Sequence, residues 1–122
     1  MDDRELYEQA VEIAARAYAP YSDFHVGAAV LAHDGRVFLG VNVENAAYPL
    51  GVCAEKSALA RAVTDGCRPG DFEAIAITAS PCGGCRQWLH EWRFDRVWFR
   101  RADGTVASYA PDELLPETWD LP

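Results

Sequence analysis

The chain has 122 residues, half of them hydrophobic and a quarter charged, a composition that fits one globular domain spanning 1–122 and leaves no room for separate catalytic and binding domains. With 11 basic against 19 acidic residues the net charge is −8, which repels a polyanion and argues against nucleic acid in favour of a small uncharged partner. No apolar run approaches the ~20 residues needed to cross a bilayer, and Met1-Asp2-Asp3-Arg4-Glu5 opens without an apolar signal segment. The expectation is a cytoplasmic protein with no membrane attachment.

In chain order, Asp2 or Asp3 can cap a first helix in which Leu6, Ala10, Ile13, Ala14 and Ala17 recur at helical spacing, ending near Tyr18 ahead of Pro20. Phe24–Ala32 and Arg36–Val43 flank Asp34-Gly35, a strong hairpin signal. Asn42 and Glu44 alternate onto one side of the second strand's end. There they suit a ligand hydroxyl, although by themselves they read more readily as solvated turn residues. A helix follows from about Cys53 past Ala62, with Gly66 as its C′ residue. Phe72–Thr78 is short and apolar, as a central buried strand is. Ser80-Pro81 opens a further helix to about Trp92, with Pro81 in its first turn. Arg96–Arg101 is a strand with Val97 and Phe99 inward, and after Asp103-Gly104 a last strand lies around Thr105–Tyr109. The tail carries Leu114-Leu115-Pro116 and Trp119. Strands alternating with helices give an α/β fold, a mixed and mainly five-stranded sheet in three α/β/α layers.

Two short runs carry chemistry, Cys53-Ala54-Glu55 and Pro81-Cys82-Gly83-Gly84-Cys85. Each falls at a predicted helix start, where unpaired amides and the positive end of the dipole favour thiolate over thiol. Cys82 and Cys85 share one helical turn, and Cys53 can join them from the other helix. Three cysteines then hold one Zn²⁺ with a fourth position open for water, and Glu55 is free to move protons. Three thiolates leave that set at −1, so nearby positive charge has to help. Other readings account for less. A redox C-x-x-C pair leaves Cys53 and Glu55 without a role, and two disulfides are unusual in a cytosolic chain. A structural zinc wants four ligands, but Cys67 lies past the far end of its helix and reads as a free loop thiol. His25, His33 and His90 lack metal-ligand spacing and read as ordinary surface or strand residues.

Four runs in order, Tyr21-Ser22-Asp23-Phe24-His25-Val26-Gly27-Ala28-Ala29, Gly40-Val41-Asn42-Val43-Glu44-Asn45-Ala46, Cys53-Ala54-Glu55 and Pro81-Cys82-Gly83-Gly84-Cys85-Arg86-Gln87, resemble the zinc-dependent cytidine deaminases of the small homotetrameric kind. The resemblance covers nearly the whole chain. It implies hydrolytic deamination of cytidine and 2′-deoxycytidine in pyrimidine salvage, with one zinc per subunit held by Cys53, Cys82 and Cys85. Hydroxide on the metal would attack C4, and Glu55 would carry a proton to the ring N3 and then to ammonia. Asn42 and Glu44 would bind the ribose, Phe24 would stack on the base, and the backbone near Ala54 would read the pyrimidine edge. Tyr48 and Trp119 would reach into a neighbouring subunit's pocket, while Lys56 and Arg86 would tune the charge around the thiolates.

The chain departs from the family pattern at three places. Lys56 stands where arginine is usual, and a lysine offers the thiolates a point charge without a planar fork. Only Ala79 and Ser80 separate the strand ending at Thr78 from Pro81, a shorter approach to the site than usual, and Trp119 replaces a phenylalanine. These departures keep open a sibling activity on a modified cytosine nucleoside, such as an antibiotic of the blasticidin type. A non-catalytic zinc or thiol binding module would have no use for Glu55.

Overall fold

The computed structural model describes residues 1–120. The first helix, α1 (Asp3–Ile13), is capped by Asp2, whose carboxylate accepts from the Glu5 amide at 2.8 Å. Its stripe was expected to continue to Tyr18; instead a 3-10 turn, Ala14–Arg16, ends it. The chain turns there because Tyr18 has to run beside residues 42–44. The Tyr18 amide donates to the Asn42 carbonyl at 3.0 Å, and the Glu44 amide donates to the Tyr18 carbonyl at 2.9 Å.

Next come β1 (Gly27–Ala32), β2 (Val37–Val41), α2 (Ala54–Thr64), β3 (Phe72–Ile77), α3 (Gly83–Glu91), β4 (Arg96–Arg100), β5 (Val106–Tyr109) and a short α4 (Pro111–Leu114). The strands form one five-stranded sheet in the order β2-β1-β3-β4-β5, with β3 in the middle as expected. Only the β3–β4 pair is parallel, and α3 makes its crossover. The sequence reading missed α4, whose signal was Pro111 followed by two acidic residues, a good first turn; Glu113 accepts from the Ala110 amide at 2.8 Å.

Helices cover both faces. On one, Leu6 and Ala10 of α1 lie on Ala29, Leu31, Ala74 and Ala76, where small side chains allow a close approach. On the other, Ala58, Leu59 and Ala62 of α2 and Leu89 of α3 pack on Val30, Ile75, Ile77, Val97 and Phe99. Each fully buried Leu or Ile contributes about 1.5–3 kcal/mol. Arg96 ties the start of α1 to the sheet, its Nε reaching Asp3 at 2.9 Å and its Nη2 reaching both Asp3 and Glu73 at 3.0 Å.

Topology sets where the two cysteine runs meet. Both β2 and β3 are antiparallel to the β1 strand between them, so they run in the same direction. Their carboxyl ends share one edge of the sheet, and α2 and α3, on the same face, both start there.

Candidate active site

Cys53 is the N-cap of α2, with extended backbone at φ −72° and ψ 155°. Cys82, also extended, is the N-cap of α3, and its sulfur accepts from the Cys85 amide at 3.5 Å. Pro81 therefore precedes the cap and does not occupy the first turn, because the sulfur of Cys82 takes the orphan amide that starts the helix. The Sγ atoms of Cys53, Cys82 and Cys85 all lie within 4.8 Å of one another. Three sulfur donors with no fourth histidine, cysteine or carboxylate in the cluster, among the described residues, fit one Zn²⁺ with an open position.

Glu55, one residue inside α2, is only 5% exposed, and it is the one charged side chain buried among the described residues. Burial raises its carboxyl above the usual range, while its own backbone amide, the Cys85 thiol and Lys56 pull partly the other way. The hydrogen bond from Cys85, helped by Cys82 and Lys56, brings the Cys53 thiol down to about 6. Cys85, the donor to that sulfur, is pushed up by the same bond and by burial. The bond thus favours thiolate at Cys53, the form that binds metal.

These groups border a cavity of about 310 Å³, whose wall includes Cys53, Ala54, Glu55 and Cys82. Ser22, Phe24, Asn42, Glu44, Tyr48, Ala79 and Ser80 line it as well. Asn42 is committed within the chain, its Oδ1 accepting from the Val26 amide and its Nδ2 donating to the Phe24 carbonyl, each at 2.8 Å. Glu44 Oε1 accepts from the amides of Tyr21 and Ser22 at 2.9 and 3.1 Å, and Oε2 accepts from the Ser22 hydroxyl. That hydroxyl, chiefly, holds the Glu44 carboxyl below the usual range. Sequence reasoning missed Ser22, although its signal was a hydroxyl two residues ahead of Phe24.

Other expected residues lie further out. The Lys56 ammonium, in the first turn of α2, sits 5.4 Å from the ring centroid of Trp88 on α3. Arg86 donates to the carbonyls of Pro81 and Leu114 and to the Ser80 hydroxyl, at 2.9, 3.0 and 3.3 Å, so its hydrogen bonds strap the loop before Cys82 to α4 and do not reach the sulfurs. Trp119 is 69% exposed and lies outside this cavity. Cys67 is a free thiol in the loop after α2, as expected, yet it is only 1% exposed and packs into the core, its sulfur 3.4 Å from Arg36 Nη2, and burial raises its pKa. The histidines stand away from the cysteines, His25 with Asp23, His33 with Asp95, and His90 with Asp120 and Thr118.

An open three-sulfur metal site with a buried carboxylate at the helix starts of an α/β/α sandwich is the architecture of a zinc-dependent hydrolase. A family model described as the cytidine and deoxycytidylate deaminase zinc-binding region matches residues 1–101. A cytidine deaminase of Sporosarcina psychrophila is 45% identical over 124 residues, covering 95% of this chain and 90% of that one. One from Mycobacterium tuberculosis is 43% identical over 122 residues, covering 95% and 88%. The crystal structure of cytidine deaminase from Burkholderia pseudomallei superposes with a TM-score of 0.91 at 42% identity, covering 98% of this chain and all of that one. The chain belongs to the cytidine and deoxycytidylate deaminase family.

Proposed function

We propose that the protein hydrolyses cytidine and 2′-deoxycytidine to uridine and 2′-deoxyuridine with release of ammonia. The observation that carries this reading is the buried Glu55 beside three converging thiols at a cavity that Asn42, Glu44 and Phe24 also line. Cys53, Cys82 and Cys85 hold the zinc, which supplies Lewis-acid activation of water when bound.

Glu55 takes a proton from the attacking water and gives it to the ring N3, then takes the second proton from the new C4 hydroxyl and passes it to the amino group, which leaves C4 as ammonia. Its burial suits that work, since it raises the carboxyl's proton affinity. Glu44, ionised and fixed by Ser22, accepts from a ribose hydroxyl. Asn42 has one amide hydrogen beyond its bond to Phe24, and that hydrogen is available to the sugar. Phe24, exposed at the cavity wall, lies against the base, and the backbone at Ala54 meets the pyrimidine edge.

The active form is a homotetramer in which Tyr48 and Trp119 each close a neighbour's cavity. Supporting it, Tyr48 and Trp119 are 68% and 69% exposed, which is costly for large aromatics left uncovered. A cytoplasmic place in pyrimidine salvage is supported by four cysteines that are all free. No helix among the described residues is long and apolar enough to cross a membrane.

The test is ammonia release across a panel of cytosine nucleosides, base- and sugar-modified analogues included, with zinc measured on the same sample. Cytidine and deoxycytidine should turn over, and Glu55→Gln should lower kcat by about a thousandfold or more with zinc retained. Turnover confined to a modified analogue, or full activity in Glu55→Gln, would overturn the reading.

A further inference from the structure

We propose that Ser22 is a positioning residue for substrate recognition, its single hydroxyl orienting both the Glu44 carboxylate and the backbone that carries the Phe24 ring. This rests on the nucleoside reading of the cavity given above. Ser22 Oγ donates its one hydrogen to Glu44 Oε2 and accepts from the Phe24 amide at 3.0 Å. A serine hydroxyl has one donor and two acceptor sites, so a single atom fixes two of the cavity's recognition groups.

Apart from Ser22 Oγ, the Glu44 carboxylate is held, among the described residues, through Oε1 alone. Residues 21–26 form a loop with no helix or strand of its own. It turns at Asp23, whose φ of +57° places it in the left-handed region, and the Asp23 amide is held by the Ala19 carbonyl at 3.0 Å. That turn points the Tyr21 and Ser22 amides at Glu44 Oε1, and both amides land on this one oxygen. The second oxygen has Ser22 Oγ as its sole partner within the described residues. Without the hydroxyl, the carboxylate is held at Oε1 alone and can swing about it, which takes Oε2 away from the sugar. Phe24 loses the acceptor for its amide at the same time. Its carbonyl stays with Asn42, so the ring loosens without leaving the wall. Ser22 lines the same cavity, and its hydrogen bonds go to Glu44 and Phe24 and none to the thiols or Glu55, so its effect falls on binding and not on the chemical step.

The test compares wild-type, Ser22→Ala and Ser22→Thr in the zinc-loaded enzyme with cytidine and with 2′,3′-dideoxycytidine, together with zinc content and Tm. Ser22→Ala is expected to raise KM for cytidine about tenfold while kcat changes less than about threefold, the loss of one charge-assisted hydrogen bond. Ser22→Thr, which keeps the hydroxyl, restores most of the affinity. On the dideoxy analogue the Ser22→Ala penalty shrinks to about threefold or less, what remains coming from Phe24. An equal penalty on both substrates, a fall in kcat accompanied by zinc loss or a lowered Tm, or no change in KM overturns the proposal while leaving the deaminase reading intact. A wild-type enzyme that turns over no cytosine nucleoside overturns both.

Discussion

Glu55 is a buried carboxyl that weighs on the fold. Its carboxyl is raised by burial, so below the ordinary carboxylate range it is neutral in folded and unfolded chains alike and costs the fold little. As pH rises from that range through the raised folded value, the unfolded chain ionises first and stability is lost. Glu55→Gln should therefore raise the Tm of the metal-free protein at neutral pH while abolishing turnover, and a Tm equal to or below wild-type in a scanning calorimeter would count against this. Lys56 works in the opposite sense. Its charge helps hold the Cys53 thiol at about 6, and a thiolate, not a thiol, binds metal. Zinc uptake by the metal-free protein should fall as pH drops through about 6. Lys56→Ala should shift that fall upward and speed loss of zinc to a chelator by roughly threefold to tenfold; identical release traces would remove Lys56 from this role.

At the scale of elements, two glycines separate conformational from steric demand. Gly40 lies under α2, where a Cβ would stand 2.2 Å from the Ala58 amide nitrogen and 2.7 Å from the Ala54 carbonyl. Backbone cannot yield as a flexible side chain does, so Gly40→Ala has to push α2 away from the sheet, and Cys53 and Glu55 go with it. The cost is about 3 kcal/mol, and zinc stoichiometry should fall as well. Gly35, in the hairpin turn at φ +92°, meets nothing within 4 Å, so Gly35→Ala should cost only about 1 kcal/mol of strain and leave zinc content unchanged. Thermal melts and metal analysis of both variants distinguish the two demands. Legibility in the sequence follows the same division. The hairpin, the central strand and the helix starts at Cys53 and Cys82 were legible because local patterns determine them. The early end of α1 was not, because a strand-like contact between Tyr18 and residues 42–44, distant in sequence, decides it. The burial of Cys67 was hidden for a similar reason: a loop position says nothing of the core behind it.

For the whole molecule, the meeting of Cys53, Cys82 and Cys85 beside Glu55 was readable from spacing, since both runs fall at helix starts. What spacing could not disclose was how the rest of the cavity is built. Asn42 and Glu44 serve as scaffold, lacing loop 21–26 to the strand end, and also line the cavity. That dual use is why strand alternation alone left the pair ambiguous. Arg86 is a comparable case, for its partner Leu114 lies 28 positions away, and only the folded chain shows that it anchors α4 to the loop before Cys82.

The shared direction of β2 and β3 also orders events in time. Cys53 follows one of these strands and Cys82 the other, and the strands are neighbours only through β1, so a three-sulfur site exists only after the non-local β1–β3 ladder has zipped beside the local β1–β2 hairpin. The metal then meets a nearly finished molecule and acts as a latch on it. In stopped-flow experiments zinc should leave the refolding rate almost unchanged and slow unfolding about in proportion to the stability it adds. Faster refolding with zinc would instead mean that the ion gathers the two helix starts early. A latch of this kind protects the chain by its lifetime in the native state, so depletion of the ion would register first as a shortened half-life of the protein.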